Sequence, residues 1–215
     1  MPRLLALVLV PTALLLAASA SSPPASAEAT NAPARPAAEM IDPGGPLPSS
    51  DSLMLFPFDG PDPAPWRVET DRVMGGRSQG FVEITDGTLV FTGEVVTEGG
   101  GFSSVRAPRE VDLSGYDGIA LRVRGGGRTF ALDVSDGTRN RGREVTRRGP
   151  VPTSDSWTTV RVPFASLETS AHGEPVRVAS LDRSAVQSIG IYIIDGIDGP
   201  FRLEVDWIRA YREAG

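Results

Sequence analysis

The sequence predicts an all-β fold, an antiparallel β-sandwich with jelly-roll topology, and three observations carry that prediction. Apolar residues recur with period two in several short stretches, turn dipeptides separate those stretches, and no long stretch shows a helical stripe. Many short strands joined by tight turns, with few helices, are the pattern of sandwiches.

Taken in chain order, the folded region opens near Leu53-Met54-Leu55-Phe56 and closes near Tyr211. Ile119, Leu121 and Val123 alternate with Ala120, Arg122 and Arg124. Phe130, Leu132 and Val134 form the next alternating set, and Val160, Val162 and Phe164 the one after it. The last is Phe201, Leu203, Val205 and Trp207 against Arg202, Glu204 and Asp206, an alternation that places Trp207 in the core. Turns are marked by Asp86-Gly87, Asp117-Gly118, Gly125-Gly126-Gly127, Asp136-Gly137, Asp195-Gly196 and Asp198-Gly199. The helix candidates are short: the turn after Phe164, and the segment from Asp182 to Gln187, which Asp182 is placed to cap.

Before this region lie an address and a linker. Met1-Pro2-Arg3 precedes an apolar run from Leu4 to Ala18, interrupted by Pro11 and short for a bilayer span, and small residues follow. Residues 1–20 therefore read as a secretory signal peptide, with a second cleavage-type site at Ala25-Ser26-Ala27 that places cleavage as late as residue 27. Residues 21–50, rich in Pro, Ala, Ser and Gly, bury too little apolar surface to offset their ordering entropy and read as a disordered linker. Residues 51–213 read as one domain. The expected location is outside the cytoplasm, periplasmic or extracellular, with no membrane anchor after signal cleavage, and the expected state is a monomer.

Composition narrows the function classes. Among 215 residues the 21 basic ones are all Arg, against 27 acidic, and they form no concentrated stripe, so nucleic acid is not an expected partner. The chain has no Cys and one His, which disfavours disulfides, thiolate sites and transition metals, and no cofactor is expected. His172, in the polar segment Ser170-Ala171-His172-Gly173-Glu174-Pro175, has no nucleophile-elbow Ser to serve and reads as a solvated side chain.

Two glycine-rich runs are the main motifs: Asp71-Arg72-Val73-Met74-Gly75-Gly76-Arg77-Ser78-Gln79-Gly80, and Gly99-Gly100-Gly101-Phe102-Ser103-Ser104-Val105-Arg106. Turn chemistry explains Gly75, Gly76, Gly80 and Ser78, through positive φ, close chain approach and local side-chain bonding. The functional alternative is that Asp71, Arg72 and Ser78 line one mouth of the sandwich, where loops carry binding, with Arg106 in the same patch. Arg106 is expected to be a buried ion-pair partner of Asp71, the alternative being a carboxylate-reading ligand group.

Glu204 and Asp206 stand at i and i+2 of a strand, as an acid–base pair would. Some jelly-roll glycoside hydrolases place a third Glu two or three residues later, where this chain has Ile208 and Arg209, so a polar face paired with Arg122, Arg124 or Arg202 is the favoured reading. Asp195 and Asp198, and Asp59 with Asp62, offer oxygen ligands for Ca²⁺ in segments that ordinary hairpin chemistry also explains. Gly125-Gly126-Gly127 lacks the following helix and Lys of a phosphate loop and reads as a turn. Trp66, Trp157, Tyr192 and Trp207 are the aromatic candidates for stacking on a sugar. Tyr192 falls opposite Ile191 and Ile193, on the face open to being concave and wet; it is the first choice for a platform, in a groove with Arg122 and Arg124, while a core or edge tyrosine is the favoured reading.

The two runs, together with Phe58-Asp59, Trp66, Asp112-Leu113-Ser114, Tyr116-Asp117-Gly118, Trp157, Pro163-Phe164, Ile189-Gly190-Ile191 and Glu204-Val205-Asp206-Trp207-Ile208, carry a resemblance. The chain resembles the complex I intermediate-associated protein family, in particular its exported bacterial members, over nearly the whole folded region. The resemblance implies a galactose-binding-domain-like β-sandwich related in shape to carbohydrate-binding modules. It also implies the role of the mitochondrial members, assembly factors for respiratory complex I without established catalytic activity. The export signal is a departure, because that assembly takes place mainly at the inner membrane and its matrix or cytoplasmic side. Two expectations follow: a non-enzymatic assembly or accessory factor with a protein partner, or a carbohydrate-binding module for envelope or environmental glycans. A glycoside hydrolase is a third reading, short of its carboxylate set.

Overall fold

A computed structural model describes residues 39–41, 52–60, 64–171 and 173–213. His172, Asp62 and the signal segment 1–20 lie outside the described residues. The strands are β1 (Glu39–Ile41), β2 (Ser52–Pro57), β3 (Arg67–Thr70), β4 (Gln79–Thr85), β5 (Thr88–Val95), β6 (Ser103–Val111), β7 (Gly118–Arg124) and β8 (Thr129–Ser135). They continue with β9 (Arg139–Asn140), β10 (Arg143–Glu144), β11 (Thr146–Pro152), β12 (Thr158–Pro163), β13 (Glu168–Ala171), β14 (Glu174–Pro175), β15 (Val186–Ile193) and β16 (Gly199–Tyr211).

These strands form two antiparallel sheets and a β9–β10 hairpin. The first sheet runs β1-β12-β7-β16-β5-β4, with β2 also on β16; the second runs β14-β13-β11-β8-β15-β6-β3. The sandwich follows from the period-two pattern. Ile119, Leu121 and Val123 of β7 and Leu203 and Val205 of β16 meet Leu132 and Val134 of β8 and Ile189, Ile191 and Ile193 of β15 in one buried cluster. Burying each such side chain stabilises the fold by about 1.5–3 kcal/mol before entropy is counted. The two short helix candidates are single 3-10 turns, at Phe164–Ser166 and Arg183–Ala185; the second is shorter than the segment Asp182 to Gln187, because Val186 and Gln187 already belong to β15, and Asp182 caps it by accepting the Ser184 N–H.

Two expectations change. The segment read as linker contributes β1, whose residues pair in antiparallel register with Arg161, Val160 and Thr159 of β12. The alternation in β16 breaks at Asp206, where the β7 register jumps from Val205↔Val123 to Trp207↔Arg122. This bulge inserts one residue and reverses which side chains face inward. Phe201, Leu203 and Val205 are core, and then Ile208 and Ala210 are. Trp207 is thereby turned to the outer face, against Ala120 and Tyr211 and beneath the Arg209 guanidinium at 4.8 Å.

Candidate functional site

Three loops leave the sandwich at one end: 71–78 after β3, 96–102 after β5 and 194–198 after β15. Asp71 joins the first two. Its side chain is wholly buried at the head of a 3-10 turn (Asp71–Met74). Asp71 Oδ1 accepts the Ser78 N–H at 2.9 Å; Oδ2 accepts the Ser78 hydroxyl at 2.6 Å and the Gly101 N–H at 2.7 Å. Burial pushes this carboxyl upward, but these donors outweigh it and hold the pKa below the ordinary value. Gly75 closes the turn at φ +88°, a left-handed conformation. Gly76 and Gly100 serve close approach: a Cβ on Gly76 would overlap the Asp71 carboxyl, and one on Gly100 would lie 2.5 Å from Asp71 Cβ.

Arg106 is not the partner of Asp71. It projects from β6 onto the outer face of the second sheet, where register aligns Arg67, Arg106, Gly190, Asp133, Arg148 and Glu168 across six strands. Arg106 donates to Asp133 at 2.5 Å, to Glu144 at 2.6 Å and to Ser188 at 3.2 Å. Asp133 is 1% exposed and burial raises its pKa, with Arg106 and Arg148 pulling the other way. Glu144 also accepts from the Ser135 hydroxyl at 2.9 Å. Tyr192 does stand on this outer face, yet only 6% of it is exposed. The Arg148 guanidinium carbon lies 3.7 Å from the ring centroid, and Phe102 packs beside it at 6.0 Å. The ring is covered, so Tyr192 is not an open stacking platform.

Arg122 and Arg124 belong to β7 of the other sheet, so the expected groove joining them to Tyr192 does not form. Arg122 pairs with Asp206 at 2.5 Å, Arg124 pairs with Glu204, and Arg202 reaches the same Glu204 at 2.9 Å. The Arg124 hydrogen bond chiefly holds Glu204 below its ordinary pKa. Both guanidiniums of β7 stack on Trp157, at 5.2 and 5.0 Å. Neither carboxylate is a free acid or base.

At Asp195 and Asp198, protein donors occupy the carboxylates that the calcium reading needs. Asp195 is held by Arg128 Nε at 2.6 Å and Nη2 at 2.8 Å, while Asp198 accepts the Thr97 N–H at 2.6 Å. No group of three or more metal-ligating side chains occurs among the described residues. Gly125-Gly126-Gly127 is the β7–β8 turn.

Sequence reasoning missed two features. Asp133 was visible in the Phe130, Leu132, Val134 alternation, which turns it outward. The exposed aliphatic side chains of the loop end had no such signal: Val73 is 69% exposed, Met74 63%, Ile194 49% and Ile197 55%. The Thr97–Asp198 bond and an Arg77–Glu98 ion pair tie these loops to one another, and Arg72 stands exposed on the same 3-10 turn.

A sequence model of the Complex I intermediate-associated protein 30 family matches residues 56–205, from β2 into β16. The chain belongs to this family. Among similar family members, the mitochondrial protein of Mus musculus is 29% identical over 178 residues, covering 69% of this chain and 52% of its own length. A probable mitochondrial member from Caenorhabditis elegans is 27% identical over 176 residues, covering 69% and 50%. The chain thus spans about half the length of these curated relatives. Among solved structures, a family 11 carbohydrate-binding module from Clostridium thermocellum, in complex with a β-1,3-1,4-mixed-linked tetrasaccharide, superposes with a TM-score of 0.57. Identity is 16%, and the match covers 75% of this chain and 96% of that one. An agarase matches with a TM-score of 0.55 at 12% identity, over 77% of this chain and 25% of its own. At such identities the likeness shows a shared fold, the two-sheet antiparallel sandwich of jelly-roll modules.

Proposed function

We propose that the chain is a non-catalytic, exported binding module that acts as an accessory or assembly factor through a protein partner docked on the loop end. The observation that carries this reading is the set Val73, Met74, Ile194 and Ile197, large apolar side chains held in water on loops that the Asp71 anchor and the Thr97–Asp198 bond brace. Large apolar side chains exposed on loops bonded to one another offer an interaction surface, and a braced loop loses little entropy when it docks. Family membership supports the reading, since the relatives are named for association with a complex I intermediate. The outer-face carboxylates Asp133, Glu204 and Asp206, each bonded to an arginine, support a non-catalytic role. The test is cross-linking of the exported protein in the envelope, wild type against Met74→Asp/Ile197→Asp. Capture of a discrete partner should fall to about a tenth or less in the variant, with an unchanged melting temperature. Undiminished capture would sink the proposal.

A second reading, glycan binding, is favoured by the polar lattice of Arg106, Glu144, Ser188 and Ser135 on the outer face of the second sheet. Such a face offers hydrogen bonds to hydroxyls, and the Clostridium thermocellum module of the same fold was solved with a tetrasaccharide. On a glycan array the reading expects retention that Arg106→Ala reduces at least about tenfold. Silence across neutral and charged glycans would count against it.

A further inference from the structure

The outer side of the first sheet carries a cleft of about 380 Å³ at the loop end, lined by Arg124, Gly126, Asp155, Pro200, Phe201 and Arg202 among others. Its size falls in the range of small-molecule sites. Glu204 lies beneath two guanidiniums, its side chain 12% exposed while those of Arg124 and Arg202 are 44% and 58% exposed. Among the described residues Arg124 and Arg202 have no second carboxylate within ion-pair distance, so two cations share one carboxylate. Arg124 donates to Glu204 through Nε and Arg202 through Nη2, which leaves other N–H groups of both forks for a ligand. Trp157, stacked on Arg124, fixes that fork in place.

The other walls define the rest of the ligand. Arg128, also in the lining, is spent on Asp195 and on the carbonyls of Ile197 and Pro200, so it shapes the wall without offering charge. The Gly125 and Gly126 N–H groups both donate to the Ser154 carbonyl, so the anion is read by guanidinium and not by a backbone nest. Pro200, exposed on the outer face, supplies apolar surface, while the Phe201 ring turns into the core. Asp155, an exposed carboxylate in the lining, accepts hydroxyl protons. A carboxylate at one end, a ring that lies on apolar carbon and hydroxyls at the other end describe one ligand class.

We infer that this cleft binds an acidic sugar of the uronate class, its carboxylate on Arg124 and Arg202, its ring over Pro200 and a hydroxyl on Asp155. The site shares no lining residue with the Arg106 lattice or with the exposed aliphatic side chains of the loop end, although its Arg128 donates to the Ile197 carbonyl. The same chemistry is found in free uronates and in the residues of an acidic polysaccharide. Oligogalacturonate beside the monomer distinguishes these sources by whether affinity grows with length.

The full chain is titrated calorimetrically with glucuronate, galacturonate and oligogalacturonate, with glucose, galactose and sodium sulfate as controls. Uronates should bind in the millimolar range or tighter. Arg124→Ala and Arg202→Ala should each weaken binding about tenfold, and because Glu204 keeps its second arginine each time, the fold survives. Glu204→Gln should tighten binding several-fold by releasing the second positive charge. Neutral sugars should give no heat, and sulfate should bind about tenfold more weakly than uronate, lacking the ring and hydroxyl contacts. The proposal is overturned by absence of uronate binding into the tens of millimolar, by equal affinity for sulfate, or by uronate affinity that neither arginine variant changes.

Discussion

Asp136→Ala is expected to destabilise the protein by about 3–5 kcal/mol, a large share of the roughly 5–15 kcal/mol that holds a domain of this kind together. The Arg147 guanidinium is 1% exposed and Asp136 2%, and Nη1 donates to Oδ1 at 2.8 Å. The same carboxylate accepts the Thr138 N–H at 2.9 Å and the Asp182 N–H at 2.8 Å, so one side chain joins the end of β8, strand β11 and the approach to β15. Arg147 has only weaker alternatives, the Ala179 carbonyl at 3.2 Å and the Thr138 hydroxyl at 3.4 Å. Removing Asp136 therefore leaves a buried cation without its counter-ion and two N–H groups without acceptors. Replacing both charges with apolar groups avoids the unpaired cation, so Asp136→Ala/Arg147→Met should recover about 1–4 kcal/mol of the loss. Urea unfolding of the three proteins measures this, and a single-variant loss below about 1 kcal/mol would contradict the argument.

The pH dependence carries a sign. Burial pushes the Asp136 carboxyl up, yet the Asp182 and Thr138 N–H groups and Arg147 outweigh it and bring the pKa to about 2. Unfolded Asp titrates near about 4. A folded pKa below the unfolded one gives stability that is complete above the unfolded value and is lost as pH falls from about 4 through about 2. The gap between wild type and Asp136→Ala should thus hold steady from pH 5 upward and narrow across that window.

The strands were legible because period two is local: Ile119, Leu121 and Val123 disclose a half-buried strand whatever lies beside it. The ion pairing of Glu204 with arginine was legible too, since it lies opposite Arg124 on a polar face with few other partners, and the inserted Asp206 still reaches Arg122. What escaped the sequence is non-local. Trp207 continues an alternation in the letters, and only the β7 register shows the inserted Asp206 that reverses it. Asp71 opens the first motif and Arg106 closes the second, yet one turns into the loop anchor and the other onto a sheet face where Asp133 awaits it. Tyr192 was assigned its correct face but not its cover, because Arg148 comes from a strand two positions away in the sheet. Arg122 and Tyr192 read as neighbours only until sheet membership is known.

Asp71→Ala should cost about 3 kcal/mol or more, because three donors lose one ionised acceptor in a site without water access. Asp71→Asn nearly preserves volume and still fails. Ser78 N–H needs Oδ1, and the Ser78 hydroxyl and Gly101 N–H meet at Oδ2, so the amide nitrogen must face an N–H donor whichever way it turns. About 2 kcal/mol is the expected loss for that variant. The glycines give a sharper check on the cause. Gly100→Ala places a methyl 2.5 Å from Asp71 Cβ and 2.6 Å from Oδ2, and it should cost about 1–3 kcal/mol as an overpacked contact. Gly100 carries no left-handed φ, so the penalty belongs to Asp71 and not to backbone strain. In an Asp71→Gly background, which removes the three atoms nearest the new methyl, the same substitution should cost under about 0.5 kcal/mol. A double-mutant cycle by chemical denaturation measures the coupling, and equal costs in the two backgrounds would refute close approach as the reason for the glycines. Because Asp71 braces the loop that presents Val73 and Met74, partner capture should also fall in Asp71→Asn while most of the protein remains folded. An anchor of fold alone would leave capture proportional to the folded fraction; an anchor of the docking end lowers capture further than unfolding accounts for.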